Sequence, residues 1–112
     1  MKVAITSVGN SLKSKLDLRF GRSVWLCIYD TETKQAEFRQ NENKDANGGA
    51  GTKTAEKVAE LGAEQVVSGD FGPKAKALLE KLKIQMVIFD EPNQTVGGII
   101  EKMGSTKKQQ TT

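Results

Sequence analysis

Histidine is absent from all 112 residues, and cysteine occurs once, as Cys27. The first absence removes every imidazole-based mechanism, so Ser-His-Asp and Cys-His nucleophile arrangements are excluded together. The second removes an internal disulfide, and no Cys/His pair stands at zinc or iron–sulfur ligand spacing. Long hydrophobic runs are also missing. The longest, "VWLCIY" at 24–29, falls far short of the roughly 20 apolar residues that cross a bilayer. The opening "MKVAITSV" is too short and too polar for a secretory signal, so a cytoplasmic location with no membrane partner is expected. Charge of one sign is scarce as well. The net charge is +3, and two of those positives, Lys107 and Lys108, lie in the polar stretch "GSTKKQQTT". No clustered basic face remains, and no nucleic-acid partner is expected.

What is present is a regular alternation of strand and helix signals. "KVAITSV" (2–8) reads as a buried strand. After a polar segment (9–23), "VWLCIYD" (24–30) and the more polar "QAEFRQN" (35–41) flank the turn "TETK" and form a hairpin. The period then changes from 2 to 3.6. "TKTAEKVAELG" (52–62) presents Ala55, Val58 and Ala59 on one face and stops at Gly62. "EQVVSG" (64–69) is a strand, "GPKAKALLEKLK" (72–83) a helix with Pro73 at its first position and Ala75, Leu78, Leu79 and Leu82 as its stripe. "IQMVIFD" (84–90) is a strand, and "TVGGIIEKM" (95–103) a helix capped by Thr95. Residues 1–103 thus form a single domain, and 104–112 read as a polar disordered tail.

Strands joined through helices lie parallel by right-handed crossovers, whereas the hairpin strand runs the other way. The expected fold is α/β: a mixed five-stranded sheet in order 3-2-1-4-5, strand 2 antiparallel, with three helices on both faces, the ribonuclease-H-like arrangement. The carboxyl ends of strands 1, 3, 4 and 5 then share one edge, where loops 9–22, 42–52, 69–74 and 90–95 converge and where open α/β sheets bind ligands.

Three motifs converge on that edge. The loop "DANGGAG" (45–51) is read as a nest of inward N–H groups formed by Asn47, Gly48, Gly49, Ala50 and Gly51, with Thr52 opening a helix whose positive dipole end favours an anion. "RFGR" supplies Arg19 and Arg22 as fixed donors, with Phe20 anchoring the loop in the core. "GDFGP" adds Gly69, Gly72 and, one residue on, Lys74. Asn10 is the polar member of the first loop. Cys27 reads as core packing. The acids Asp17, Asp30, Asp70 and Asp90 do not cluster about the first strand as a two-metal nuclease requires.

"DLRFGRS", the Asn-containing loop ending "GGAG", "GPKAKALLEKL" and "TVGGIIE", in this order and spacing, resemble the dinitrogenase iron–molybdenum cofactor biosynthesis family over residues 2–103. The resemblance implies a ribonuclease-H-like fold and a small non-enzymatic protein that binds or carries metal–sulfur clusters, with a partner protein in cofactor assembly. It also implies a molybdenum- or iron-containing sulfide cluster as cofactor. The family often places a histidine in the glycine loop, and this chain has none. Any such cluster is therefore held non-covalently, by backbone amides, side-chain hydrogen bonds and charge, with no metal ligand assigned. The alternative is a metal-free interaction or regulatory module that binds a protein partner or a phosphate metabolite at the same edge. The polar third strand leaves a sheet edge open, consistent with a monomer or a weak dimer.

Overall fold

The computed structural model describes the backbone of residues 1–111 except Asp90 and Pro92, and side chains as far as Met103. Its elements are β1 (Lys2–Ser7), β2 (Trp25–Asp30), β3 (Ala36–Gln40), α1 (Ala50–Glu60), β4 (Ala63–Ser68), α2 (Pro73–Lys81), β5 (Gln85–Ile88) and α3 (Val96–Thr111). α3, expected over 95–103, continues as far as Thr111 through the residues expected as a polar disordered tail, 104–112.

The strands form one five-stranded sheet in order β3-β2-β1-β4-β5. β2 runs antiparallel to both neighbours, and β4 runs parallel to β1 and β5. This is the mixed sheet expected from the order of strand and helix signals. β1 and β2 are apolar on both faces because both faces are covered. On one, Ala4, Leu26, Ile28 and Val66 pack against Ala55 and Val58 of α1 and Ala75 and Leu79 of α2. On the other, Val3, Ile5, Cys27, Tyr29 and Val67 meet Val96 and Ile99 of α3. Two helices thus cover one face and a single helix the other.

The stripe of α2 is narrower than its spacing suggests. Leu82 is exposed at the C-cap, and only Ala75 and Leu79 are fully buried. Thr95 caps α3 as expected, its hydroxyl accepting the Gly98 amide at 3.0 Å, a contact that satisfies one of the helix's orphan donors.

The segment between β1 and β2 crosses the carboxyl edge of the sheet, and its position depends on Asp17. Asp17 is 3% exposed. Its main chain pairs with Thr6 of β1: the Asp17 amide donates to the Thr6 carbonyl at 2.9 Å, and the Thr6 hydroxyl donates back to the Asp17 carbonyl at 2.6 Å. Ser68, at the end of β4, sits 2.8 Å from that hydroxyl. The Asp17 carboxylate accepts the Arg19 amide at 3.1 Å, the Arg19 Nε at 3.3 Å and the Val24 amide at 3.2 Å. A buried carboxylate is tolerated because each of these donors offsets its desolvation.

Replacing Asp17 by Ala leaves the two amides short of an acceptor, and urea denaturation is expected to show a loss of about 2–4 kcal/mol. A second expectation concerns Cys27, which is fully buried and whose thiol burial pushes up to about 12. The native state holds the neutral thiol while the unfolded chain releases its proton at lower pH. The contribution of Cys27 is therefore fully present below about pH 9 and is lost progressively toward pH 12. Cys27→Ala removes that alkaline slope, which unfolding curves between pH 8 and 10.5 would measure.

Candidate functional site

The glycine loop begins at Asn41, which is buried. Its Oδ1 accepts the Asn43 amide at 3.1 Å and the Thr54 hydroxyl at 3.3 Å, and its Nδ2 donates to the Gly21 carbonyl at 3.1 Å. One side chain thereby joins the start of this loop, the RFGR turn and α1. Beyond it the chain folds on itself through short turns to Gly48 and Gly49, with φ of +88° and +74°. Two successive left-handed residues exact a steric cost from any side chain, which explains the glycine pair.

Here the structure corrects the sequence reading in two respects. α1 begins at Ala50 with Gly49 as N-cap, not at Thr52, whose hydroxyl instead donates to the Gly49 carbonyl at 3.0 Å. The Gly48 amide is committed to the Ala46 carbonyl at 2.9 Å, so Gly48 takes no part in a nest of inward amides. Gly51 is a helical residue, and its missing side chain serves packing. A Cβ there would stand 3.1 Å from that of Ala75, and one on Gly21 would stand 2.6 Å from the Gly51 nitrogen. Ala50 is buried; Asn47 is exposed. What remains available is the first turn of α1, whose leading amides have no partner within the helix.

The RFGR turn lies against this first turn. Phe20 is fully buried, with its ring centroid 5.2 Å from that of Phe71. Its amide donates to the Asp70 carbonyl at 3.0 Å, which ties the turn to the β4–α2 connection. The two arginines differ in role. Arg22 donates to the carbonyls of Lys44 at 2.7 Å and Ala46 at 3.3 Å, so it straps the glycine loop down and is not a free donor. Arg19 gives Nε to Asp17, and the rest of its guanidinium stays open in a side chain 66% exposed.

α2 starts beside α1, as the proximity of Gly51 to Ala75 requires. Its N-cap, Gly72, has φ +75° and ψ 156°, and its amide reaches Asp70 Oδ1 at 3.2 Å. No side chain caps it, and a Cβ on Gly72 would meet nothing within 4 Å. Gly69 is a packing glycine, since a Cβ there would collide with Leu18 at 2.7 Å. Lys74 is exposed on the first turn. Two positive helix ends thus lie side by side with Arg19 and Lys74 at their rim. Nearby Asp45 is held by Lys44 at 2.8 Å, and that hydrogen bond, together with the Lys44 charge, holds its carboxyl below the ordinary range.

Asn10 does not join this group. It is exposed on the 8–15 excursion, which turns toward α3 and gives the Leu12 carbonyl to the Gly97 amide at 2.8 Å. Asp30 pairs in register with Lys2 at the opposite edge, and Asp90 lies outside the described residues. Among the described residues no three His, Cys, Asp or Glu side chains group to hold a metal ion. Sequence reasoning missed Asp17, Asn41 and Thr54 as organisers of the edge. The one local signal was the Asx turn open to any loop Asp or Asn, which Asp17 and Asn41 each make with the amide two positions on.

Comparison with known proteins agrees with this architecture. The structure of the apo form of the orange protein from Desulfovibrio gigas superimposes with a TM-score of 0.87 at 29% identity, covering 94% of this chain and 88% of that one. An NMR structure of a NifB-type protein of the DUF35 family from Thermotoga gives 0.79 at 31% identity, covering 93% and 87%. Among curated proteins none matches. The profile of the dinitrogenase iron-molybdenum cofactor family matches residues 1–106. The chain therefore belongs to the dinitrogenase iron-molybdenum cofactor family.

Proposed function

We propose that this protein is a non-enzymatic carrier of an anionic metal–sulfur cluster of the molybdenum, iron or copper sulfide type. The cargo is seated where the first turns of α1 and α2 meet. The observation that carries the reading is the pairing of those two helix ends, at the contact of Gly51 with Ala75, with Arg19 and Lys74 beside them. Helix N-termini attract anions through oriented amides and the positive end of the dipole. Direct metal ligation does not fit: histidine is absent, and Cys27 is fully buried in mid-strand with its thiol pushed up to about 12. A sulfide-bridged polyanion needs no protein ligand, because its sulfur atoms accept hydrogen bonds from the amides of α1 and α2. The relation to a cofactor family and the likeness to the orange protein support a carrier over a catalyst.

The competing reading, a phosphate-binding module at the same edge, is favoured by the lack of Cys and His near the site. One experiment separates them. Anaerobic titration of ¹⁵N-labelled protein with tetrathiomolybdate, with and without Cu(I), is expected to shift amides at 19–22, 49–53 and 69–76 and to produce a visible band. Lys74→Glu leaves the fold unchanged and is expected to weaken that binding about three- to tenfold, since it replaces attraction by repulsion at an exposed rim. Shifts with inorganic phosphate but none with tetrathiomolybdate would establish the competing reading. Scattered shifts with both would reject the site.

A further inference from the structure

The opposite face of the sheet carries a feature that cluster carriage does not use. α3 alone covers that face, and the β2–β3 side is left with a cleft of about 720 Å³, inside the roughly 300–1,000 Å³ range of small-molecule sites. We propose that this cleft between α3 and the β2–β3 hairpin is a second binding site, for a flat, mostly apolar monoanion such as an aromatic carboxylate.

Three observations support it independently. The first is Tyr29, which lines the cleft and is 9% exposed. Among the described residues its hydroxyl has no hydrogen-bond partner and no buried side-chain polar atom is left unpaired, so this hydroxyl is open to solvent at a residue that lines the cleft. A tyrosine with a buried ring and an accessible hydroxyl offers a ligand an apolar face and one polar handle. The second is Gly98, whose place in the first turn of α3 weakens the helix. Gly97 has a packing reason, because a Cβ there would stand 3.1 Å from the Leu12 carbonyl oxygen. Gly98 has a local one, since a Cβ there would stand 3.0 Å from the Thr95 hydroxyl oxygen of its own cap, and it also lines the cleft. Its missing side chain widens the cleft. The third is Lys34, held at φ +64° in the β2–β3 turn, a conformation where glycine or asparagine is the cheaper choice.

The lining specifies the ligand. Phe38, Ile100 and Leu12 offer apolar walls, the Tyr29 hydroxyl one hydrogen bond, and Lys13 and Lys34 two cations against the single acid Glu101. That balance suits one negative charge. The amides at the start of α3 are already committed, Val96 to the Ser14 carbonyl at 2.9 Å, Gly97 to Leu12 and Gly98 to Thr95. The anion is therefore met by lysine side chains at the mouth, not by the helix end. The site is separate from the α1/α2 edge, and its success or failure is independent of cluster carriage.

The test is an amide-shift titration of the full chain with 2-naphthoate, and with neutral 2-naphthalenemethanol as the uncharged comparison. Saturable naphthoate shifts confined to 12–13, 29, 34–38 and 95–101 are expected, with the alcohol about three- to tenfold weaker. Gly98→Leu fills the cleft and is expected to abolish the shifts while circular dichroism stays native. Should that variant fail to fold, Lys13→Glu/Lys34→Glu is expected to erase the preference for the anion. Equal binding of the two probes, shifts outside the cleft, naphthoate binding unaltered by these variants, or shifts that track protein concentration and so mark self-association would each overturn the proposal.

Discussion

The carboxylate of Asp17 is the interaction on which the carboxyl edge of this sheet depends. Asp17 is the point where the long polar segment 9–23 is bound, through its main chain, to β1 and β4. Thr6 and Ser68 take its main chain, and its side chain gathers the amides of Arg19 and Val24. With the segment held there, Phe20 enters the α1/α2 core and Gly21 comes close enough to Gly51 to leave no room for a side chain. Charge-assisted hydrogen bonds in a water-poor setting are strong and directional, which suits one residue to positioning a whole loop.

Asn41 plays the corresponding part for the second loop. Its amide links Gly21, Asn43 and Thr54, so the RFGR turn, the glycine loop and α1 form one hydrogen-bonded unit. Arg22 adds an outer strap. The consequence for chemistry is that much of the polar inventory of the edge serves the fold. Donors left for a ligand are the first-turn amides of two helices and the open end of Arg19, a set that recognises charge and shape without ligating metal. Under the proposed function, that donor set suits a preformed polyanion and calls for no histidine ligand.

The two faces of the sheet consequently differ. Helices α1 and α2 close one face and carry the anion-attracting ends, whereas α3 leaves the β2–β3 side of the other open. Three helices shared between two faces of a five-stranded sheet produce this imbalance by geometry alone, and the cleft lined by Tyr29 and Gly98 is its result.

Strand and helix periods, the hairpin at 31–34 and the absence of His were enough to determine the element order, the 3-2-1-4-5 sheet and the exclusion of imidazole chemistry. Those features are local or follow from the handedness of crossovers, so a single chain reveals them. The ordered motifs likewise carried the family. Which polar residues become buried organisers was decided only by tertiary structure. Asp17 looks like an ordinary surface acid, and Arg22 like a donor for a ligand, until the packed sheet brings Thr6 and Ser68 to the one and Lys44 to the other. Gly51 reads as a loop glycine until α2 arrives beside it, and Asn10 reads as part of the edge until its excursion bends toward α3. Each of these roles depends on a contact between segments distant in the chain, and no local pattern encodes a neighbour that only the packed sheet supplies.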